Sequence, residues 1–522
     1  MSYLAVPIAA RNLNQAEQQI RAAQEAGAEM LELRTDYLVH LSVDLAWKLI
    51  AAARQIAPAI PIIVTCRDYH QGGALRHSNQ LRTSVLTAAV RSGANFVDVE
   101  YDNFRSEAIH HKLWLDMSSG SKTRLILSAH QFQKKFDDIT EYYQKILSAC
   151  PTAIPKLVYT ADHINDCFDA LDLLHNAQHE TISFCMGEAG LVTRILAKKL
   201  NGLVNFASID EKTVTAPGQP AIDQLKKLYR WDSINSQTEL YGVIGSPVAH
   251  SLSPHIHNAC FADAGLNKIY LPLLVAGGQS EFDAFMDNII ARPWLGFHGL
   301  SVTIPHKENA LAYAKSKEGF IDPVAEKIGA VNTILIDKPL SFGDQPHINA
   351  CNTDYTGALD TITTGLGINR ENLKGVHVAV IGAGGVARSI VAGLSEAGAK
   401  IIIYNRTIER AKKLAHEFKC DYAGLDDLHK LKSTLVINCT SIGMFPNVDT
   451  TPVDAKYLNK DMAVFDTVYN PAETLLLKQA KALGCRTIPG LDMFISQAAE
   501  QFKLFTGRGA NIEIMQKILP QK

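Results

Sequence analysis

The sequence lacks long apolar runs and a surplus of charge of either sign. Its 522 residues include 51 lysines and arginines against 53 aspartates and glutamates, a net charge of −2. Such a balance provides neither an electrostatic footprint for nucleic acid nor a basic patch for a membrane surface. No apolar stretch approaches the length of a membrane span, and the N-terminal residues show no basic segment ahead of an apolar one. We therefore expect a cytoplasmic protein that binds neither nucleic acid nor membranes.

Cysteine is present, but without the spacing that metal sites or disulfide frameworks need. The nine cysteines are scattered along the chain, and none forms a Cys-x-x-Cys pair or lies at a metal-ligand spacing from a histidine. This distribution predicts no metal site and favours a reducing compartment, where thiols stay free.

The first part of the chain contains short β-rich runs that alternate with helical patterns. The runs are YLAVPIA, AEMLELRTD, IPIIVTCRD, NFVDVEYD, RLILSAHQF, IPKLVYTA, TISFCMG and LVNFASI. Eight strands with intervening helices are typical of a (β/α)8 (TIM) barrel. Because a chain of this length exceeds what one hydrophobic core supports, we expect further domains and assign the barrel to residues 1–223.

Polar side chains stand at the ends of these predicted strands. They are Glu32, Arg34, Arg67, Glu100, His130, Lys156 and, just beyond the seventh strand, Arg194. A barrel gathers the carboxyl ends of its strands at one mouth, so we expect these side chains to lie close together although they are far apart in sequence.

Lys156 is the most informative of them, because a buried ammonium is costly unless something offsets it. Among apolar neighbours an amine loses its proton more readily and can form a Schiff base with a ketone. The iminium would acidify the adjacent C–H, and His130 could take that proton with Glu100 orienting the imidazole. The arginines of the mouth could hold a carboxylate, which predicts metal-free elimination or aldol chemistry on a small anionic ketone. A lone lysine here would more often be a salt-bridged residue, and it is the coincidence of several such groups that favours a site.

The barrel segment resembles the type I 3-dehydroquinate dehydratases. The shared motifs are ELRTD, CRDYHQGG, FVDVE, SAHQF, IPKLV, FCMGEAGLVTRIL and TAPGQ, in that order. The resemblance implies conversion of 3-dehydroquinate to 3-dehydroshikimate, with Lys156 as the Schiff-base lysine, His130 as the general acid/base and Glu100 positioning it. The substrate contacts that it implies are Glu32, Arg34, Arg67, Arg194, Thr215 and Gln219. Gln131 departs from the family, in which Asp or Asn usually follows the histidine.

Beyond the barrel, the sequence predicts a linker and a two-lobed module. Residues 224–238 are polar, show no periodic apolar face beyond one turn, and are predicted to connect two domains. A new βα pattern begins at ELYGVIGSP. We assign residues 239–353, completed by a C-terminal helix 490–522, to a substrate-binding lobe and residues 354–489 to a Rossmann-like lobe.

The Rossmann-like lobe contains the motif G-x-G-x-x-A between a strand and a helix. Its glycines allow backbone N–H groups to approach a pyrophosphate at the helix N-terminus. The next strand ends in YNRTIER rather than in an acidic residue, and its arginines suit a 2′-phosphate, which favours NADP over NAD. The expected cofactor contacts are Gly382, Ala383, Gly384, Gly385, Val386, Ala387, Asn405, Arg406, Thr407 and Arg410.

Several polar residues precede and follow this cofactor motif, each unremarkable by itself. Ser251 and Ser253 lie in a loop that opens a helix, a suitable cradle for a carboxylate. Together with VTIPHK, GAVNT, CNTDYTG and PGLDMFISQAAEQF they resemble shikimate dehydrogenases. The resemblance implies that Lys307 and Asp354 handle the proton of the reacting hydroxyl. The substrate contacts that it implies are Ser251, Ser253, Thr303, Asn332, Asn352, Tyr469 and Gln497.

The two resemblances name consecutive reactions, which predicts a bifunctional enzyme that makes 3-dehydroshikimate and reduces it with NADPH. Two alternatives remain at this stage. A quinate dehydrogenase could replace the second activity, although Ser253 and Thr303 favour shikimate, and a non-catalytic quinate-pathway regulator could share both domains. The reactive side chains are all retained here, which disfavours the regulator. A plastid location is the alternative to the cytoplasm, and the sequence leaves the oligomeric state open.

Overall fold

The computed structural model describes residues 2–105, 117, 120–337 and 347–519. The last residues of the helix predicted for 490–522 lie outside this range. The chain divides into two compact units, one of Met1–Thr238 with Leu273–Val275 and one of Glu239–Pro272 with Ala276–Lys522.

The first unit is built on a sheet of eight parallel strands. These are β1 Tyr3–Ile8, β2 Met30–Arg34, β3 Ile62–Thr65, β4 Phe96–Glu100, β5 Arg124–Gln131, β6 Ile154–Thr160, β7 Ile182–Met186 and β8 Val204–Phe206. Consecutive strands from β1 to β7 pair with one another, and β8 pairs with β1, so that β7 and β8 are the two ends of the sheet. This order gives a nearly closed TIM-like barrel and confirms the predicted fold.

Helices surround these strands, and several begin where the sequence supplies a cap. They are Leu13–Glu25, Val43–Ile56, Asn79–Arg91, Tyr101–Phe104, Ile139–Ala149, Phe168–Asn176 and Leu191–Leu196. The side chains of Asn12, Ser42, Ser78 and Asp138 each accept a hydrogen bond from a backbone N–H in the first turn of the following helix. Capping of these otherwise unpaired donors fixes the point at which each helix begins.

The barrel interior changes from apolar to polar along each strand, because side chains two residues apart point the same way. On β5 and β6, Ile126 and Ile154 belong to the apolar core. Ser128, His130 and Lys156 follow at spacings of two toward the carboxyl ends. The alternation therefore places the polar candidates above an apolar floor, at the mouth predicted from the sequence.

Residues 224–238, expected to link two domains, pack on the first unit. They form a π-helical turn, Gln224–Leu228, and a 3-10 turn, Trp231–Ser233. Trp231 is 0% exposed and its indole faces Glu29 Oε2 at 3.5 Å, while Leu225 is also buried. The spaced apolar side chains thus anchor a segment whose average composition is polar.

The second unit contains two sheets of six strands. The first sheet comprises β9 Glu239–Gly245, β10 Lys268–Leu274, β11 Phe297–Val302, β12 Phe320–Ile321, β13 Thr333–Ile336 and β14 Ile348–Cys351, in the order β10-β9-β11-β13-β14-β12. The second comprises β15 His377–Ile381, β16 Lys400–Asn405, β17 Asp421–Gly424, β18 Leu435–Asn438, β19 Ala463–Asp466 and β20 Arg486–Pro489. Its order, β17-β16-β15-β18-β19-β20, is that of a parallel dinucleotide-binding sheet whose switch point lies beside β15.

Ten helices in the described part of this unit cover the two sheets. They are Ser253–Asp263, Gln279–Ile290, Lys307–Ser316, Pro323–Ile328, Asp354–Leu366, Gly385–Glu396, Ile408–Phe418, Leu475–Ala482, Gly490–Thr506 and Ile512–Ile518. The helix Gly490–Thr506 contacts β11 and β13 of the first sheet and also the helix Asp354–Leu366. The chain therefore returns to the first lobe after completing the second.

Within residues 2–105, 117, 120–337 and 347–519, every helix is too short or too polar to span a lipid bilayer.

We expect Trp231→Ala to lower the free energy of unfolding of the first unit by about 3–5 kcal/mol, since it empties a fully buried site. Urea unfolding followed by circular dichroism measures the change. The control is Trp47→Ala, because Trp47 is 57% exposed and its loss should cost no more than about 0.5 kcal/mol. Equal unfolding midpoints for the two variants would show that residues 224–238 do not stabilise the barrel.

Candidate active sites

The barrel mouth contains a cavity that brings together nearly all of the side chains predicted there. Its lining includes Glu32, Arg34, Arg67, His130, Lys156, Arg194, Thr215 and Gln219. Glu100 is absent from this lining. The convergence predicted from strand ends is thus present for six of the seven residues, and the two residues implied by the resemblance, Thr215 and Gln219, line the same cavity.

Lys156 lies at the bottom of the cavity and is 4% exposed. Its Nζ is 2.8 Å from Asp98 Oδ2 and 3.8 Å from Glu32 Oε1, and it lies 4.3 Å from the centroid of the Phe206 ring. Two carboxylates and an aromatic face therefore offset the cost of burying this ammonium. They also hold the nitrogen in one place.

Asp98 remains a carboxylate because two cations flank it. Arg67 Nη2 donates to its Oδ2 at 2.8 Å, and Ser128 Oγ donates to its Oδ1 at 2.6 Å. Burial would raise the pKa of Asp98, but the charges of Arg67 and Lys156 hold that pKa well below its usual range.

Glu100 has different partners from those predicted. Its Oε1 accepts from Arg67 Nη1 and from the Asp68 backbone N–H, both at 3.0 Å, and its Oε2 accepts from Arg82. The expected contact with His130 is not among the hydrogen bonds of the described residues. Two arginines hold the carboxylate outside the cavity, so Glu100 positions the arginines rather than the imidazole.

The imidazole of His130 faces Gln71 instead, with Nδ1 3.3 Å from Gln71 Oε1. Burial and the charges of Arg67 and Lys156 hold the pKa of His130 well below its ordinary value, against the opposing charge of Asp98. A neutral imidazole among fixed cations can accept a proton at neutral pH.

Arg194 is a buried guanidinium without a counter-ion in the described part of the chain. It is 0% exposed, and its Cζ lies 4.4 Å from the centroid of the Phe184 ring. Its Nη1 donates to the Phe206 carbonyl at 3.4 Å, whereas Nε and Nη2 have no hydrogen-bond partner there. Burial lowers the pKa of Arg194 to about 10, so the group stays charged at neutral pH. Such a group is suited to an anionic ligand.

The loop that contains Thr215 and Gln219 is folded over the cavity. Gln219 Oε1 accepts from the Thr215 backbone N–H at 2.9 Å and from its hydroxyl at 3.0 Å. Gly218 has φ +69° and packs so tightly on the backbone of Gly187 that a side chain there would clash. The loop is therefore docked with both candidate residues at the mouth.

In the second unit, Lys307 and Asp354 form a buried ion pair. Each is the first residue of a helix, Lys307–Ser316 and Asp354–Leu366. Asn352 Oδ1 accepts from the Asp354 backbone N–H at 3.0 Å, and Asn352 Nδ2 donates to the Ala330 carbonyl at 2.8 Å. The predicted pair is present, and Asn352 fixes the backbone beside it.

The remaining substrate candidates surround this pair to different degrees. Burial raises the pKa of Tyr469 to about 12, with Ser251 opposing the shift and Asp354 adding to it, so Tyr469 lies near both. Ser251 Oγ accepts from the Ser253 backbone N–H at 3.3 Å. Asn332 Nδ2 donates to the Thr353 hydroxyl at 3.0 Å, next to Asp354 in sequence.

Two further candidates lie opposite glycines. A Cβ built on Gly357, one turn after Asp354, would be 3.2 Å from the Gln497 backbone nitrogen. A Cβ built on Gly245 would collide with the Thr303 methyl group. Both glycines allow close approach, and Gln497 is thereby held against the helix that Asp354 begins.

The glycine-rich turn after β15 meets the requirements of a pyrophosphate cradle. Gly382 has φ +114°, and a Cβ on Gly384, directly before the helix Gly385–Glu396, would meet open space. Arg406 directly follows β16 and Arg410 lies in the first turn of the next helix, Ile408–Phe418; both are exposed, and neither has a carboxylate partner among the described side chains. An open helix N-terminus with two free cations fits a phosphorylated dinucleotide.

The turn also abuts the ion pair, because a Cβ on Gly385 would lie 2.9 Å from Lys307 Cδ. The cofactor candidates and the proton-handling candidates therefore belong to one site within this unit.

Sequence reasoning did not assign Asp98, Ser128 or Gln71 to the barrel site. Asp98 precedes Glu100 by two residues and Ser128 precedes His130 by two, so strand alternation would have placed both on the interior face. Gln71 ends a short 3-10 turn, Tyr69–Gln71, and is 59 positions from His130 in sequence, and no periodic pattern points to it. For metal ions, the described residues contain no group of three or more His, Cys, Asp and Glu side chains that could bind one.

Comparison with known proteins gives matches to four family models. They are Type I 3-dehydroquinase over residues 4–236, the Shikimate dehydrogenase substrate binding domain over 243–334, Shikimate / quinate 5-dehydrogenase over 367–448, and the Shikimate 5′-dehydrogenase C-terminal domain over 490–519.

Individual proteins match one or both units. The chloroplastic bifunctional 3-dehydroquinate dehydratase/shikimate dehydrogenase of Arabidopsis thaliana is 35% identical over 532 residues, covering 99% of this chain and 84% of that protein. The shikimate dehydrogenase (NADP(+)) of Methanosarcina barkeri is 41% identical over 53% of this chain and 96% of its own length. A crystal structure of shikimate 5-dehydrogenase from Thermus thermophilus with NADP(H) and shikimate is 32% identical over 54% of this chain and 98% of that chain, with a TM-score of 0.45.

We expect the His130 imidazole to remain neutral at a pH at which an ordinary histidine, with a pKa of about 6.5, is half protonated. The reason is its low pKa among Arg67 and Lys156. Nitrogen-15 NMR of histidine-labelled protein measures it, with the His130→Gln variant identifying the signals. A titration midpoint at or above that of free histidine would contradict the expectation.

Proposed function

Because the chain belongs to the family of bifunctional 3-dehydroquinate dehydratase/shikimate dehydrogenases, we propose which of its residues carry each reaction and which nucleotide it uses. The protein combines a lyase and an oxidoreductase of the shikimate pathway. We assign dehydration to the first unit and reduction to the second.

For the dehydration, Lys156 is the nucleophile: its ammonium passes a proton to an adjacent carboxylate, and the free amine attacks the ketone of 3-dehydroquinate. The proton returns to the carbinolamine, which loses water to form the iminium. His130 then removes a proton from the neighbouring carbon and gives it to the hydroxyl beyond, which leaves as water. Hydrolysis of the iminium releases 3-dehydroshikimate and frees Lys156. One observation carries this assignment: Lys156, His130 and Arg194, whose Nε and Nη2 have no partner in the described structure, line the same cavity.

Arg194 binds the substrate carboxylate in this proposal. Its unpaired nitrogens can form a bidentate pair with a carboxylate, which repays the cost of burying the guanidinium. Glu32, Arg34 and Arg67 form the polar wall, and Thr215 and Gln219 cover the substrate from the folded loop. The oxygens of Asp98 are engaged by Arg67, Ser128 and Lys156. His130 lines the cavity, so the carbon proton passes to His130.

For the reduction, Ser251 and Ser253 bind the carboxylate of 3-dehydroshikimate at the opening of the helix Ser253–Asp263. Lys307 and Asp354 hold the reacting oxygen and supply the proton that makes it a hydroxyl. The other contacts to the substrate are Thr303, Asn332, Asn352, Tyr469 and Gln497. NADPH, when bound, supplies the hydride.

NADPH is bound by the turn after β15 and by the residues that follow β16. The turn residues Gly382, Ala383, Gly384, Gly385, Val386 and Ala387 accommodate the pyrophosphate, with Asn405 and Thr407 beside the ribose. Arg406 and Arg410 hold the 2′-phosphate, since both are exposed cations at the strand end where an NAD-specific site would have an acidic residue.

A cytoplasmic location is proposed, with the plastid stroma as the alternative. All nine cysteines are free, including six that are buried, which suits a reducing compartment. Microscopy of the tagged protein in its own cells distinguishes the two.

We expect Lys156→Ala and Lys307→Ala to abolish opposite halves of the reaction. Lys156→Ala should lower dehydration of 3-dehydroquinate by more than about 10³-fold because it removes the nucleophile. It should leave reduction of added 3-dehydroshikimate unchanged, and Lys307→Ala should show the reverse. The ultraviolet absorbance of the conjugated enone in 3-dehydroshikimate measures dehydration without NADPH, and oxidation of NADPH after addition of 3-dehydroshikimate measures reduction. Each variant is the folding control for the other.

Borohydride treatment with 3-dehydroquinate should attach the substrate to Lys156 in the wild type, as read by peptide mass spectrometry. Loss of both activities in either variant, or an unmodified Lys156, would contradict the assignment.

We expect the double substitution Arg406→Ala, Arg410→Ala to raise the KM for NADPH by about tenfold or more, because hydrogen bonds to a charged group are worth about 1.5–3 kcal/mol. The KM for NADH should stay within about twofold, since that cofactor has no 2′-phosphate. Arg370→Ala is the matched control, as Arg370 is an exposed arginine of the same lobe paired with Asp360. An equal loss of affinity for both nucleotides would show that the arginines do not read the 2′-phosphate.

A further inference from the structure

Arg82 is a buried arginine that neither proposed reaction uses. It is 3% exposed and is the fourth residue of the helix Asn79–Arg91, which begins after the Ser78 cap. The partial positive charge of a helix N-terminus disfavours a cation in the first turn. The stability of the helix therefore does not explain an arginine at this position, so the reason for it lies in the groups that its guanidinium contacts.

The guanidinium of Arg82 holds the chain on both sides of Arg67. Its Nε donates to the Cys66 carbonyl at 3.0 Å, and its Nη1 donates to Asp68 Oδ2 at 2.8 Å. Its Nη2 donates to Glu100 Oε2. Glu100 Oε1 in turn accepts from the Asp68 backbone N–H and from Arg67 Nη1, both at 3.0 Å. Arg82 and Glu100 together therefore fix the backbone and the side chain of Arg67.

The same contacts continue from Arg67 to the lysine of the cavity. Arg67 Nη1 donates to Asp98 Oδ1 at 3.0 Å, and Nη2 donates to Asp98 Oδ2 at 2.8 Å. Lys156 Nζ lies 2.8 Å from the same Oδ2. The resulting row of alternating charges, in which every side chain is at most 4% exposed, is Lys156, Asp98, Arg67, Glu100 and Arg82. Arg82 does not line the cavity, so it acts on the site only through this row.

We propose that Arg82 is a positioning residue for the dehydratase, because it supplies a buried counter-charge for Glu100. Arg67 is then left to hold Asp98, the carboxylate beside the reactive lysine. The proposal rests on the proposed role of Lys156 as the nucleophile.

Loss of Arg82 would change both the pairing and the charge of the row. Glu100 would keep Arg67 as its one cationic partner in the described structure, and Arg67 would be divided between two carboxylates. The buried groups would also become more negative by one unit charge. Negative surroundings stabilise an ammonium, and Lys156 must give up that charge before its nitrogen can attack a ketone. Removal of Arg82 should therefore slow the formation of the Schiff base.

The test is the rate of dehydration in the Arg82→Met variant, which removes the charge and keeps an extended side chain. We expect kcat for 3-dehydroquinate to fall by about tenfold, a typical coupling within one salt-bridge network. KM should stay within about twofold, because Arg194 rather than the row binds the substrate carboxylate. The ultraviolet absorbance of the conjugated enone in 3-dehydroshikimate measures both constants. The amount of Lys156 adduct trapped by borohydride in the first turnover should fall with kcat.

Two further variants separate the charge of Arg82 from a role in folding. The double substitution Arg82→Met, Glu100→Gln removes both members of the pair, so Arg67 is no longer divided between two carboxylates. We expect its kcat to return to within about threefold of the wild type, although more hydrogen bonds are lost than in Arg82→Met. Arg82→Lys keeps the charge without the planar fork and should lie between the wild type and Arg82→Met. Both variants retain a balanced row, so they test the charge even if Arg82→Met unfolds the barrel.

Arg54→Met is the matched control. Arg54 also lies on a barrel helix, Val43–Ile56, and its guanidinium donates to the Gly93 carbonyl at 3.1 Å and to Asn95 Oδ1 at 2.7 Å. Both partners precede β4, at the end of the barrel opposite the cavity. The variant should therefore keep the wild-type kcat, while urea unfolding followed by circular dichroism shows a loss of stability.

The proposal is overturned if Arg82→Met keeps the wild-type kcat or if Arg54→Met slows dehydration equally. It is also overturned if the double variant or Arg82→Lys is as slow as Arg82→Met, since the charge would then be irrelevant. A wild-type protein that yields no borohydride adduct at Lys156 would instead refute the nucleophile, and with it the proposed function.

Discussion

Charge balance inside the barrel is the constraint on which its site depends. The charged side chains buried around the cavity are the cations Arg34, Arg67, Arg82, Lys156 and Arg194 and the carboxylates Glu32, Asp36, Asp98 and Glu100. Each carboxylate touches at least one cation, and a removed partner would leave an uncompensated charge in a region of low dielectric. Arg194 is the cation among them without a counter-ion in the described structure, and its Nε and Nη2 have no hydrogen-bond partner there. This part of the cavity is thus complementary to an anionic group of a ligand.

The same balance favours a neutral imidazole at His130, the proposed base. A protonated His130 would add a positive charge beside Arg67 and Lys156, and burial makes that costly. The Gln71 amide that faces Nδ1 carries no charge. Glu100 does not contact the ring, because its oxygens accept from Arg67 and Arg82. A buried charged side chain in this site needs an opposite charge beside it, both for stability and for a fixed position in the proposed reaction.

How far the sequence predicts this arrangement depends on whether a residue lies on a strand or on a loop. The positions of Lys156 and His130 follow from barrel geometry, because strand ends converge whatever their separation in sequence. The contact between Gln71 and His130 does not follow, since it depends on the path of a loop. The packing of residues 224–238 was missed for a related reason: Trp231 is apolar among polar neighbours, and burial of one large side chain leaves no periodic signal.

In the second unit, close packing fixes the position of Lys307, whereas in the first unit charge balance fixes the side chains of the site. The side chain of Lys307 lies against Gly385, where any larger residue would displace it. The first turn of the cofactor-binding helix therefore sets the position of the lysine that pairs with Asp354. The glycines of this motif are usually explained by the space that a pyrophosphate needs. Gly385 has a second reason to be glycine, because it leaves room for the side chain of Lys307. Any movement of the turn would then change the geometry of the ion pair. In the proposed reaction, this single contact links nucleotide binding to proton transfer.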